Sequence, residues 1–257
     1  MKTTVSRFLA TCVVIVVFLH AAVAQNGWKI FDSSGEVTLI SNGRLKQSWG
    51  DDALLMDGKK NRILFLSAEK QAYAQGTPDQ YCTLMKEAQD AMVAKLPPEQ
   101  RSMMENMRKQ KSGGKPPAVV IKPQGSGGLV SGLKTEKYAI YVDGELREEV
   151  WLATDPDFLK QFKPLIGIFR GFSQCVGSMS VSMQDELETS KEYLDLYEKG
   201  VEVKVRRPGA DDEQGGDEES RVERVSVPDS EFAVPDGYKE IDLRTFVYGQ
   251  MGGMDDE

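Results

Sequence analysis

Residues 134–153, KTEKYAIYVDGELREEVWLA, hold two alternating apolar segments on either side of Asp143-Gly144. An Asp-Gly pair between such segments is a strong signal for a β-hairpin. A two-residue turn there would place Ile140 opposite Arg147 and mix apolar with charged side chains on each face. A three-residue loop that takes in the preceding valine instead places Ile140 opposite Leu146, which leaves one face of the hairpin apolar. We therefore predict the three-residue loop.

One charged side chain falls on this apolar face. In the preferred register Glu148 stands opposite Tyr138. Two interpretations remain open for it. Either the carboxylate faces a cavity, where it binds a cationic group or has a raised pKa, or it lies near a sheet edge and reaches water.

Further strand pairs surround this hairpin along the chain. Asn42-Gly43 separates two short alternating segments and predicts another tight turn. Residues 53–56 and 63–66 form a pair that is apolar on both faces. Such a pair predicts that other elements cover it from both sides.

Helical spacing replaces the strand pattern after residue 76. Thr77-Pro78 supplies an N-cap followed by proline, and Gln80 lies three residues after the cap. This predicts a helical insertion over residues 77–111, broken at Pro97-Pro98.

A third helix is predicted to begin at Asp155-Pro156 and to be interrupted at Pro164. Strands that alternate with these helices predict an α+β fold, in which helices pack on one side of an antiparallel sheet. We expect a single domain over residues 25–247 and a disordered tail over residues 248–257.

The first 24 residues have the pattern of a signal peptide. Lys2 and Arg7 precede a short apolar stretch, and Ala22-Val23-Ala24 fits a cleavage site before Gln25. An uncleaved membrane anchor is the alternative. After removal of this leader, no segment is long and apolar enough to span a membrane, so we expect a periplasmic or secreted protein.

The composition argues against several classes of function. The 257-residue chain has 40 acidic and 32 basic residues and a net charge of −8, which argues against nucleic acid as a partner. Its single histidine, His20, lies in the predicted leader, so the mature chain lacks the imidazole of a Ser-His-Asp or Cys-His mechanism or of a zinc site. No carboxylate pair stands out for a glycosidase-type reaction. We expect no enzymatic activity, no cofactor and no metal site.

Two cysteines remain after the leader. In an oxidising compartment Cys82 and Cys175 are candidates for a disulfide, and two buried free thiols are the alternative.

Three parts of the chain resemble motifs of a family of secreted bacterial proteins that is labelled as a domain of unknown function. They are residues 132–153, residues 232–238 (FAVPDGY) and the MDGKK hairpin at residues 56–60. The architecture of that family is similar to that of the periplasmic lipoprotein carriers, which hold acyl chains between sheet and helices. The resemblance implies a curved antiparallel sheet, an open half-barrel, with helices over its concave side. The present chain lacks the helix with which the carriers begin, and its helical segment is longer.

Methionine and aromatic side chains recur on the predicted helices. Such side chains suit an adaptable apolar site, but they equally suit a filled core. With the resemblance, they predict a non-enzymatic periplasmic protein that binds a lipid or an acyl chain. The alternative is an envelope module that docks a protein partner or has a structural role. The candidate ligand contacts are Met85, Met92, Tyr138, Ile140, Phe158, Phe162 and Phe169.

Overall fold

A large curved antiparallel sheet that does not close on itself forms the frame of the molecule. The structure is a computed structural model and describes residues 25–113, 117–179, 187–208 and 217–250. Within these ranges the strands are β1 Gln25–Phe31, β2 Val37–Ser41, β3 Arg44–Trp49, β4 Asp52–Asp57, β5 Arg62–Ser67, β6 Ala72–Gly76, β7 Val119–Val130, β8 Leu133–Val142, β9 Glu145–Ala153, β10 Val201–Arg206, β11 Asp217–Glu219, β12 Arg221–Val227 and β13 Lys239–Glu240.

The helices of the described residues are interspersed among these strands, so the α+β class expected from the sequence is confirmed. They are α1 Pro78–Lys95, α2 Pro98–Gly113, α3 Pro156–Phe162, α4 Ile166–Met179, α5 Lys191–Leu194 and α6 Leu243–Gln250, with 3₁₀ turns at Lys163–Leu165, Asp195–Glu198 and Asp229–Phe232.

Within the described ranges, the strands of this frame form two hydrogen-bonded groups, one of eight strands and one of five. One has the order β12-β1-β2-β3-β4-β5-β6-β13, and the other has the order β11-β10-β9-β8-β7. Neighbouring strands are antiparallel, except that the short β13 runs parallel to β6. The two groups are connected through Ser220, the single residue between β11 and β12. The strand before it, β11, pairs with β10, and the strand after it, β12, pairs with β1.

The β8–β9 hairpin corrects the predicted loop. Val142 pairs with Glu145, so the turn has two residues, and both Asp143 and Gly144 have positive φ angles (51° and 89°), as a type I′ turn requires. A β-bulge follows, and Ile140 pairs with Glu148 rather than with Leu146. The extra residue of the bulge restores the alternation that made the two-residue turn look unfavourable.

The pair β4–β5 is covered on both faces, as its apolar character predicted. One face, with Leu54 and Phe65, belongs to the main core between the sheet and the helices. The other face, with Leu55 and Leu64, packs against the C-terminal segment through Phe232.

The predicted helix signals are present in the structure. Thr77 and Gln80 form a reciprocal capping box at the start of α1. The carboxylate of Asp155 accepts hydrogen bonds from two backbone N–H groups at the start of α3. Pro164 lies in the 3₁₀ turn that separates α3 from α4.

The end of the described chain differs from the predicted disordered tail. Residues 248–250 belong to α6, which buries Leu243 and Val247 against the main core. That apolar contact is what orders them, because it removes their neighbours in the helix from water. Residues 251–257 and the predicted leader lie outside the described residues. None of the described helices is long and apolar enough to cross a membrane.

Candidate functional site

The layer between the helices and the sheet is rich in aromatic rings. Phe65 of β5 lies at the centre, with its ring centroid 4.9 Å from that of Tyr81 on α1 and 4.8 Å from that of Phe246 on α6. Tyr81 in turn stacks on Phe172 of α4 at 5.3 Å. These four rings, the Phe65 stack, therefore connect one strand with three helices.

A second group of rings continues this layer toward α3. Phe162 and Phe169 stack at 5.2 Å, and Tyr197 lies 5.8 Å from Phe169. Beneath the start of α3, Trp28 of β1 contacts Phe158 at 5.0 Å. Offset and tilted ring pairs of this kind stabilise the packing beyond the area that they bury.

A disulfide joins the two central helices of this layer. Cys82 on α1 and Cys175 on α4 are bonded, and their Cα atoms are 5.5 Å apart. The predicted disulfide is therefore present, and it closes a loop between residues that are 93 positions apart. The bond fixes the spacing of α1 and α4 while the rings beside it are held only by packing.

The structure divides the predicted ligand contacts among three places. Phe158 and Phe162 are buried in the main core, and Met85 and Phe169 pack against that core while remaining partly exposed. Met92 lies on the surface of α1 with 37% of its area exposed.

Tyr138 and Ile140 lie apart from the other five residues. They belong to a second core, on the face of β8 and β9 opposite Ala153. This face is covered by the chain around α5, including Tyr193 and Leu196. A ligand between α1, α4 and the sheet would therefore not meet Tyr138 or Ile140. The separation arises because β8 and β9 are buried on both faces, by different parts of the chain. Alternation in the sequence shows that a strand has two faces, but not which other segments pack on each of them.

Glu148 is buried at the margin of this second core, with only 1% of its area exposed. Arg207, just after β10, donates a hydrogen bond from Nε to Glu148 Oε1 at 2.9 Å. The same guanidinium donates from Nη1 to Glu218 at 2.6 Å. The carboxylate thus binds a cationic group, here one of its own chain, and its burial contradicts the alternative that it reaches water.

A second carboxylate, Glu202, lies half-buried on the same face of the sheet. It pairs across the strands with Leu152, and Tyr193 donates its hydroxyl to Glu202 Oε2 at 3.2 Å. Burial, reinforced by the charge of Glu148, raises the pKa of Glu202 to about 7 despite the hydrogen bond from Tyr193.

Glu202 was not predicted as a site residue, because the alternating segment around it has the pattern of an ordinary strand with a solvated polar face. The only signal was its position between two valines, Val201 and Val203.

Glu148 and Glu202 do not form a metal site. Within the ranges that the structure describes, no three His, Cys, Asp or Glu side chains come together in a way that could hold a metal ion. Glu148 is instead bound by Arg207, and Glu202 by Tyr193. Glu148 and Glu202 are therefore members of a polar network inside the fold.

Comparison with known proteins adds no relative to these observations. No protein-family model matches the chain, and no curated protein matches it significantly.

Proposed function

We propose that this is a non-enzymatic, extracytoplasmic protein that binds an apolar ligand, such as an acyl chain, between its helical layer and the curved sheet. One observation carries the proposal. A set of large apolar side chains packs against the main core yet remains partly exposed, and most of its members project from the helices. They include Tyr81, Leu84, Met85, Ile166, Phe169, Phe172, Phe246 and Tyr248.

Partial exposure of this set is what an adaptable apolar site needs. The rings of the Phe65 stack occupy the layer in this structure, so a ligand enters by taking the place of ring contacts with contacts of its own. Each methylene of a chain that becomes buried contributes about 0.8 kcal/mol. Met85 adds a flexible side chain that can repack around a new shape.

The disulfide supports such a rearrangement. Because Cys82 and Cys175 hold α1 to α4, a displacement of one helix by a ligand would move the other with it. The aromatic contacts with Phe65 and Phe162 are then the ones that change, while the strand ladders remain paired.

The experiment uses protein purified from the periplasm and stearic acid labelled with bromine, a quencher of tryptophan fluorescence. Trp28 lies in the main core beside Phe158 and reports on a ligand in this layer. We expect saturable quenching, and native mass spectrometry that shows a mass shift of one fatty acid.

Matched variants locate the site. Phe172→Asp places a charge in the helical layer and should abolish the quenching. Met103→Asp places the same charge on α2, at a side chain that is 65% exposed, and should leave the quenching unchanged. Absence of saturable quenching together with an unshifted native mass would overturn the proposal.

A docking role is the second candidate, and the surface of α1 and α2 favours it. Met92 and Met103 expose 37% and 65% of their area on these two helices, and apolar surface of this kind can be covered by a protein partner. In this alternative an envelope protein covers the two methionines. Crosslinking in intact cells, with the wild type and with the double variant Met92→Asp/Met103→Asp, tests it: an identical set of crosslinked partners would reject this surface.

A further inference from the structure

A cavity of about 410 Å³, with several polar and charged side chains in its lining, lies beside α3. Its walls come from the β2–β3 turn, the β4–β5 turn, β1, β12 and the end of α3. This volume lies within the range of small-molecule sites, about 300–1,000 Å³. The side chains that matter for its chemistry are Asn26, Asn42, Lys59, Lys160, Gln161 and Arg224.

The cavity is positive in a chain that is negative overall. Lys59, Lys160 and Arg224 line it, with Asp157 as the carboxylate among its lining residues. The whole chain, by contrast, has a net charge of −8. Among the described residues, neither Lys59 nor Lys160 has a carboxylate partner within ion-pair distance. Two ammonium groups are thus available to an anion.

Two of the cations have contacts with other side chains of the cavity region. Lys59 donates from Nζ to Asn42 Oδ1 at 2.5 Å. The guanidinium of Arg224 lies 4.6 Å above the ring of Trp28 and donates to Asp157 at 3.2 Å. These contacts position two of the three positive charges, those of Lys59 and Arg224, before any ligand arrives.

The turns beneath the cavity are equally constrained. Asn42 and Gly43 have positive φ angles of 53° and 74°. A Cβ on Gly43 would stand 2.9 Å from Pro164 Cγ, and one on Gly58 would stand 2.2 Å from the Pro164 carbonyl oxygen. Both turns therefore pack tightly against Pro164 in the 3₁₀ turn that follows α3, and this packing leaves no room for a side chain at either glycine.

One polar atom of this wall lacks a hydrogen-bond partner. Gln161 Oε1 is buried and has no hydrogen-bond partner. A buried acceptor without a donor is unfavourable, so a hydroxyl group that enters the cavity wall would stabilise it. Together with Asn26 and Asn42, Gln161 makes the cavity rich in amides, which pair with hydroxyl groups as both donors and acceptors.

We propose that this cavity binds an anionic carbohydrate, that is, a sugar bearing a carboxylate or a phosphate. Lys59, Lys160 and Arg224 bind the anionic group, and the amides of Asn26, Asn42 and Gln161 bind the sugar hydroxyls. The site is separate from the apolar layer of the proposed function, and neither depends on the other.

The experiment is calorimetric titration of the purified protein at low salt with glucuronic acid, glucose phosphate, glucose and inorganic phosphate. We expect saturable binding of glucuronic acid or glucose phosphate, and the stronger of these two identifies the anionic group. Glucose and inorganic phosphate should bind at least about tenfold more weakly, because each lacks one half of the recognised chemistry.

Variants test the residues. Lys59→Gln and Lys160→Gln should each weaken binding about tenfold or more, with an unchanged melting temperature. Lys163→Gln alters an exposed lysine one turn beyond Lys160 that does not line the cavity, and it should bind as the wild type does. The proposal is overturned if neither sugar acid binds saturably, if inorganic phosphate binds as tightly as glucose phosphate, or if both lysine variants bind as the wild type does.

Discussion

Gly58 lies directly against the backbone of Pro164, where a Cβ would stand 2.2 Å from the carbonyl oxygen and 2.8 Å from the next backbone nitrogen. The contact joins the β4–β5 turn to the link between α3 and α4. It is one of the places where the helical layer is seated on the strand turns.

Replacement of Gly58 by alanine should therefore lower the free energy of unfolding. Backbone atoms cannot move aside as a flexible side chain can, so we expect a loss of about 1–3 kcal/mol. Urea denaturation followed by circular dichroism measures it. Gly167→Ala on α4 is the matched control, because a Cβ there meets nothing within 4 Å and alanine favours the helix. Equal stability of the two variants would contradict the close contact.

The disulfide should contribute strongly to stability. The double variant Cys82→Ser/Cys175→Ser loses a link that closes a loop of 93 positions, and we expect its free energy of unfolding to fall by about 2–4 kcal/mol. Chemical denaturation of the wild type with and without a reductant gives the same comparison. The reductant should leave the double variant unchanged, and a wild type that is insensitive to reductant would argue against this role.

Glu202 should make the protein less stable at higher pH. Its pKa is raised from 4.5 to about 7 in the folded state, so between these values the folded chain binds more protons than the unfolded chain. The free energy of unfolding then falls as the pH rises through this window, by up to about 3–4 kcal/mol. Thermal unfolding at about pH 5 and about pH 8 measures the loss.

The variant Glu202→Gln removes the titrating group while keeping an acceptor for the Tyr193 hydroxyl. We expect it to match the wild type near pH 5 and to exceed its melting temperature near pH 8. Glu198→Gln changes an exposed carboxylate on the neighbouring 3₁₀ turn and serves as the control. A pH dependence that survives in Glu202→Gln would show that another group is responsible.

A substitution of Phe158 tests whether this side chain stabilises the core or mainly contacts a ligand. Its side chain is fully buried against Trp28, so Phe158→Ala should lower the free energy of unfolding by about 3–5 kcal/mol in the absence of any ligand. Leu129→Ala, at a side chain that is 70% exposed on β7, should change it by less than about 0.5 kcal/mol. Differential scanning calorimetry of both variants decides the question, and a mild effect of Phe158→Ala would mean that the site around this ring is already loosely packed.

Local signals in the sequence predicted the fold well where the determinants are neighbours in the chain. The capping box of Thr77 and Gln80 and the proline of the 3₁₀ turn at Pro164 act within a few residues, so both were predicted and both are present. The two-sided cover of β4–β5 also followed, because a strand that is apolar on both faces needs two partners.

The sequence was less informative where distant segments decide. The bulge beside Ile140 shifts the register by one residue, and a single inserted position leaves no mark on the alternation. Glu148 is tied to Arg207 across 59 positions, a pairing that no local pattern indicates. For the same reason, Tyr138 and Phe158 could not be assigned to different cores before the two faces of the sheet were known.

The first strand of the described chain depends on one of the last. Gln25 of β1 pairs with Val227 of β12, and the register continues to Phe31 opposite Arg221. A ribosome or a translocation pore that releases the chain from its amino end therefore delivers β1 and its neighbour β2 long before β12, the second partner of β1, exists. The sheet remains unfinished until nearly the entire polypeptide has emerged, and such long-range pairing makes folding slow. Until β12 pairs with it, the free edge of β1 has unpaired backbone N–H and C=O groups, and this edge is therefore the one that chaperones would have to cover for the longest time.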